Sequence, residues 1–338
     1  MAEPISRDKN SIWRTIEACQ EGSETALSSS SFVESSLETS SQSVSWFIQN
    51  RGGLAQIVGL LMVPSQFLGP DLDACERIIN NACQNERYKI ERVQFQHKAG
   101  NLEGVICYPN GWNSEDKHRC VSYHNPNAIT LADFFDNGAP NHTIQTILNL
   151  FRLPVILYDY RGTGLNQGDY ECSSLKFRPN YETIVEDGIS ALTYALQNYD
   201  EVITWGSSLG GGVATVSLER HLSVNSDDAH RVRLVNHDSF TKTARVVMPG
   251  HPWIADVAGW LFGGNLDAQT SMERLSERSV KIVVLCHTKD FVIPQGARMA
   301  EFVSKLKNTG NISLIYSPEV GHANLSVDMI RQYRQQIN

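Results

Sequence analysis

From residue 88 onward the chain alternates short runs rich in Val, Ile, Leu and aromatic residues with longer stretches whose apolar positions recur every three or four residues. The short runs are 88–96, 104–108, 119–124, 154–159, 202–206, 232–236, 280–286 and 311–316. Several are unbroken Val/Ile/Leu stretches, the pattern of strands covered on both faces. Between 181 and 198, Val185, Ile189, Leu192 and Leu196 stand at spacings of 4, 3 and 4, one stripe of an amphipathic helix. Further helices are predicted at 141–151, 209–222, 295–308 and 324–337. The first two runs sit close enough for a hairpin and later ones are separated by crossovers. This order predicts an α/β fold with a mostly parallel eight-stranded sheet, an antiparallel start and helices on both faces.

Upstream the pattern is different. Residues 23–45 hold 11 Ser in 23 positions, too little apolar surface to offset the entropy of ordering. Residues 1–87 are therefore expected to form a partly disordered leader with a short helix near 11–19, and 88–338 the folded domain. The apolar run from Ile57 to Val63 is stopped by Pro64 and is too short to span a bilayer. It is expected to be a buried helix, with docking to a membrane or partner as the second reading. No internal repeat is visible.

The composition is that of a globular protein, with 41% hydrophobic and 20% charged residues. Acidic residues outnumber Lys and Arg by 37 to 29, for a net charge of -8, and no basic run reaches five residues, which argues against nucleic-acid binding. The seven Cys, at 19, 75, 83, 107, 120, 172 and 286, include no C-x-x-C pair and are expected to be free thiols in a reducing compartment. The first 20 residues have no apolar core of the kind a secretory signal needs, so the expected location is cytoplasmic. The sequons at Asn141, Asn311 and Asn324 then carry little meaning.

The chemistry concentrates in Val202-Ile-Thr-Trp-Gly-Ser-Ser-Leu-Gly-Gly-Gly-Val213, a β-branched strand that ends in G-x-S-x-G and passes straight into a helical run. This context is what a nucleophile elbow needs: Ser208 on a sharp turn, with Gly206 and Gly210 removing Cβ atoms that would collide there. Ser207 is adjacent, but the glycine spacing centres on Ser208. The Leu209 N–H at the start of the following helix is a natural oxyanion donor.

A serine hydroxyl needs a base to act as a nucleophile at neutral pH. Of the ten His, His322 is preferred, because it lies in a Gly-containing loop between the last strand and the last helix. Asp290, after the strand Lys281-Ile-Val-Val-Leu-Cys286, is the expected acid, and Asp238, after the preceding strand, is the second candidate. The remaining oxyanion donor is expected from the turn His124-Asn-Pro-Asn-Ala128. Pro126 has no N–H to give, so Asn127 N–H is chosen, with Asn125 behind it. Asp159 and Arg161 are expected to hold loops together by hydrogen bonding. Gly162-Thr-Gly164 has Gln167 where a dinucleotide fingerprint needs Gly, Gly206 to Gly212 contains no phosphate-loop Lys, and no H-E-x-x-H is present, so no cofactor and no metal is implied.

Taken in order, VILYDYRGTGLNQG, VITWGSSLGGGVAT, KIVVLCHTKDFVIPQGA and EVGHAN resemble the landmarks of the α/β-hydrolase superfamily. The likeness spans about 88–338 and is closest to its small-cap branch, which includes protein depalmitoylases and hydrolase-like proteins of bacteria living inside host cells. The resemblance implies an α/β-hydrolase fold with Ser208, Asp290 and His322 as nucleophile, acid and base. Relatives carry His-Gly and then a donor where this chain has His124-Asn125-Pro126. The segment at about 240–279 takes the place of a small cap, where Trp253, Ile254, Val257, Trp260, Leu261 and Phe262 fit an amphipathic helix that either packs on the sheet or lines an acyl groove.

The expected activity is a serine hydrolase cleaving ester or thioester bonds of small-molecule or lipid substrates through an acyl-enzyme. The rival expectation is a catalytically silent hydrolase fold that serves as a binding or host-interaction module. Analogy with the bacterial relatives extends to export into a host cell without a secretory signal. The shallow cap is compatible with peripheral membrane contact, and a partner for the leader is not identified.

Overall fold

The eight β-rich runs pair into one eight-stranded sheet: β1 (Ile90–His97), β2 (Gly100–Cys107), β3 (Arg119–His124), β4 (Val155–Tyr158), β5 (Glu201–Ser207), β6 (Val232–His237), β7 (Lys281–Lys289) and β8 (Ile312–Val320). This computed structural model describes residues 71–338 apart from 98–99, 114–116, 168–180, 252, 255, 257–264, 308 and 338. The features predicted at 11–19, 23–45 and 57–63, and the cap residues Val257, Trp260, Leu261 and Phe262, lie outside the described residues.

The strand order is β1-β2-β4-β3-β5-β6-β7-β8. β2 runs antiparallel to both β1 and β4, and every other pairing is parallel. Alternate residues feed two apolar layers: Cys120 and Val202 point to one, Val121 and Ile203 to the other. The first layer is closed by α3 (Tyr181–Asn198), α4 (Leu209–Val224) and α6 (Ala268–Ser276). The second is closed by α1 (Leu72–Cys83), α2 (His142–Phe151) and α8 (Val327–Ile337). The short α5 (Thr243–Val247) begins the cap segment, and α7 (Met299–Val303) follows β7. No helix among the described residues is long and apolar enough to cross a membrane.

Three elements differ from the sequence expectation. Helix α1 belongs to the folded sheet domain although it precedes residue 88. Its Cys75, Ile79 and Ala82 are buried at a spacing of 4 and 3, and Asp71 caps it by accepting from Ala74 N at 2.7 Å. The stripe stands at helical spacing between charged flanks, but it precedes the first strand, and the sequence alone did not assign it to the sheet. β2 begins at Gly100 rather than 104 because its first half is an exposed hairpin arm with polar side chains. The helix expected at 295–308 is broken at Arg298, which is extended (φ -69°, ψ 135°) and whose side chain is used elsewhere.

Candidate active site

Ser208 stands between β5 and α4 with φ 54° and ψ -119°, a strained conformation for a residue with a side chain. The flanking glycines make this turn possible. A Cβ on Gly206 would lie 1.9 Å from the carbonyl oxygen of Gly210, and one on Gly210 would lie 2.1 Å from that of His124. Ser208 N donates to His237 O at 2.9 Å and Ser208 O accepts from Ser239 Oγ at 2.8 Å, so the elbow is bonded to the turn after β6. Leu209 is the first residue of α4, where the helix leaves its N–H groups without intrahelical acceptors.

Asp290 follows β7, and its carboxylate is held from two sides. Oδ1 accepts from Val292 N at 2.7 Å and Ile293 N at 3.0 Å, while Oδ2 accepts from His322 Nδ1 at 2.9 Å. Both side chains are nearly buried. Arg298 secures the loop, donating to the carbonyls of Thr288, Asp290 and Ile293 at 3.0, 2.6 and 2.9 Å. Of the two carboxylates weighed for the imidazole, Asp290 makes the hydrogen bond.

Asp238, the other carboxylate, has its oxygens occupied. Oδ1 accepts from His287 N at 2.7 Å, and Oδ2 accepts from His287 Nδ1 at 2.6 Å and Ala323 N at 2.7 Å. His237 Nε2 stands 3.3 Å from the same Oδ2. Burial opposes ionisation of Asp238, but the charge and hydrogen bonds of His237 and His287 outweigh it and hold its pKa well below the usual carboxylate range. Burial pulls the His287 imidazole down, and its hydrogen bond to Asp238 and that group's charge overcome this, so its pKa is raised. His237, Asp238 and His287 bring polar atoms within 4.8 Å of one another, yet each carboxylate oxygen already accepts an N–H, so the cluster is a hydrogen-bond network.

The turn after β3 carries the remaining expected donor. His124 is fully buried between Tyr158 Oη at 2.7 Å and Thr204 Oγ1 at 2.9 Å, and burial pushes its pKa down to about 3. Asn125 donates from Nδ2 to Tyr158 O at 2.7 Å, while its buried Oδ1 has no hydrogen-bond partner among the described residues. Asn127 lies on the turn with its side-chain oxygen accepting from Ala128 N at 3.0 Å.

Asp159 and Arg161 bridge loops. Asp159 accepts from Leu131 N at 2.6 Å and Leu165 N at 2.8 Å, and burial pushes its carboxyl up to about 7. Arg161 Nε donates to buried Asp187 at 2.8 Å. Among the Cys, burial pushes the Cys286 thiol up to about 12, which keeps it protonated and unreactive.

Neither a family model nor a curated protein sequence matches this chain. Solved structures do. An α/β hydrolase from Vibrio vulnificus is 15% identical with a TM-score of 0.57, over 85% of this chain and 93% of that one. This chain has the α/β-hydrolase fold. The Pyrococcus horikoshii acylaminoacyl peptidase is 12% identical with a TM-score of 0.50, over 75% of this chain and 41% of that one. A hyperthermophilic esterase from Pyrobaculum calidifontis is 17% identical with a TM-score of 0.48, over 85% and 96%.

In this α/β-hydrolase fold Ser208, Asp290 and His322 all follow the C-terminal ends of parallel strands, β5, β7 and β8, and so share one edge of the sheet. Sequence reasoning missed the pairing of Asp238 with His287 and the bracing by Arg298. The only signal for the first was His287 one residue after Cys286 and three before Asp290; nothing in the pattern marked the second.

Proposed function

We propose that this protein is a serine hydrolase that cleaves ester or thioester bonds through an acyl-enzyme. The observation that carries the reading is the hydrogen bond from His322 Nδ1 to the buried Asp290 carboxylate, at the sheet edge where Ser208 occupies its strained turn. Ser208 Oγ attacks the carbonyl carbon while His322 Nε2 takes its proton, and Asp290 orients the imidazole and steadies its cation. The Leu209 N–H and the Asn127 N–H hold the oxyanion. His322 then returns the proton to the leaving alcohol or thiol, and water repeats the sequence to release the acid.

An acyl substrate is favoured by apolar exposure beside the chemistry. Phe291, next to Asp290, is 55% exposed, and Val320, two residues before His322, is 69% exposed. Trp253 on the cap segment is 70% exposed. The motif likeness to small-cap depalmitoylases points to the same acyl class.

A fluorophosphonate probe tests the reading. Wild-type protein is expected to be labelled and to turn over a short nitrophenyl ester, and Ser208→Ala to do neither. Folded wild-type protein that takes no label would establish the silent scaffold, a reading that the Pro126 substitution in the oxyanion turn favours.

A further inference from the structure

We propose that Asp238 is a positioning residue for the base: its carboxylate is the node that ties the loop carrying His322 to the elbow carrying Ser208. The inference rests on the serine-hydrolase reading above. On the elbow side, Tyr123 Oη donates to Ser207 Oγ at 3.0 Å, and Ser207 Oγ lies 3.2 Å from His237 Nδ1. Ser207 Oγ thus joins Tyr123 to the His237 ring, whose other nitrogen, Nε2, stands 3.3 Å from Asp238 Oδ2. The backbone runs alongside, with Ser208 N donating to His237 O at 2.9 Å.

On the base side, Asp238 Oδ2 accepts from Ala323 N, the amide immediately after His322, at 2.7 Å. Ala323 has φ 58° and Asp238 has φ 42°, so both residues sit in a backbone conformation that side chains disfavour. Hydrogen bonds from a buried anion offset such strain. Asp238 is 2% exposed, and polar atoms of Asp238, Asp290 and His322 lie within 4.8 Å of one another. The imidazole of His322 therefore works between two carboxylates that have different duties. Asp290 bonds the ring, and Asp238 bonds the chain beneath it.

The same Oδ2 also meets His287 Nδ1 at 2.6 Å, so a second buried side chain holds the carboxylate in place. The ionisable groups around the base are Asp290 after β7, Asp238 and His237 at the end of β6, and His287 on β7, with Glu319 on β8 adding to the field at His287.

The test compares three variants of the full chain by nitrophenyl-ester kinetics from pH 5 to 9, thermal melting and fluorophosphonate labelling rate. An amide at position 238 can present only one oxygen, so in Asp238→Asn either Ala323 N or His287 N faces an NH2 group. The expected result is a folded protein whose kcat falls about 10- to 100-fold with KM unchanged, since a displacement near 1 Å costs that much in rate. His287→Asn keeps a side-chain N–H for Asp238 but shortens the reach to Oδ2, the oxygen that also accepts from Ala323 N, so kcat is expected to fall about 10-fold with KM unchanged.

Asp290→Asn serves as the reference for losing the acid itself. Wild-type kcat in folded Asp238→Asn would overturn the inference while leaving the hydrolase reading intact. Should Asp238→Asn fail to fold, wild-type kcat in folded His287→Asn would overturn it. Wild-type protein that is inert to both ester and probe refutes the parent reading and this inference with it.

Discussion

Replacing Gly210 with Ala isolates the fit of the elbow from its chemistry. The added Cβ would lie 2.1 Å from His124 O, 2.6 Å from His124 C and 2.7 Å from Asn125 O, all of them backbone atoms. To reach ordinary contact the gap must open by about 1 Å. The carbonyl has little room to retreat: His124 pairs with Gly206 across β3 and β5, its ring is held by Tyr158 and Thr204, and Asn125 Nδ2 is tied to Tyr158 O. Forced overpacking of this kind costs about 3 kcal/mol. Alanine recovers about 1 kcal/mol over glycine inside a helix, leaving a net loss of about 2 kcal/mol. That corresponds to a melting temperature lower by roughly 4–8 °C. Because the turn that must yield is the one proposed to complete the oxyanion hole, kcat should fall about 100-fold as well. Gly250→Ala is the control, since nothing lies within 4 Å of its Cβ and its melting temperature should stay within about 1 °C. A Gly210→Ala protein that melts with the wild type and turns over ester normally would refute the argument.

Two further outcomes are expected. Asp290→Asn should lower kcat by about 10,000-fold while KM changes little, because the amide no longer stabilises the imidazolium, and steady-state kinetics against a nitrophenyl ester would show it. His124 gives a stability signature in acid. Its folded pKa, about 3, lies below the unfolded value, so below pH 6.5 the unfolded chain binds more protons and stability is lost as pH falls. Between pH 7 and 5 this amounts to about 2 kcal/mol in urea-denaturation free energy. His124→Gln should be less stable at pH 7 yet show a flatter pH dependence over that interval, and an unchanged slope would count against the burial argument.

What the sequence made legible follows from how each feature is encoded. Parallel strands covered on both faces favour unbroken apolar runs, and the run at 154–159 was therefore visible within a residue of β4. The Ser208 turn was visible because two backbone collisions admit only glycine at 206 and 210. Asp290 and His322 were visible because each follows a strand. Helix α1 was missed although Cys75, Ile79 and Ala82 stand at helical spacing, because it precedes the first strand and nothing in the pattern tied it to the sheet. The Asp238 network was equally hidden. Its members Tyr123, Ser207, His237 and His287 look individually like ordinary strand residues, and only their convergence in space gives them a joint role.

The edge proposed to carry the chemistry is organised around buried carboxylates. Asp159, Asp238 and Asp290 follow β4, β6 and β7, and each accepts backbone N–H groups from the loops around it: Leu131 and Leu165, His287 and Ala323, Val292 and Ile293. A buried charge without such partners would be strongly destabilising, so each loop conformation and each ionised or hydrogen-bonded carboxylate stabilise one another. The turn after β3 lacks this device. It ends in Pro126, which has no N–H, and the neighbouring Asn125 Oδ1 is buried without a donor among the described residues, a defect worth roughly 1–3 kcal/mol. Under the proposed function the same turn has to provide the second oxyanion donor. Three of the loops at this edge, those after β4, β6 and β7, are therefore each fixed around a carboxylate, while the turn after β3 is held through the His124 and Asn125 side chains and by Tyr160 Oη, which donates to Asn125 O at 3.0 Å. Under the proposed function, any weakness in catalysis should originate at this turn, where Pro126 has no N–H to give, rather than at the bonded pair of Asp290 and His322.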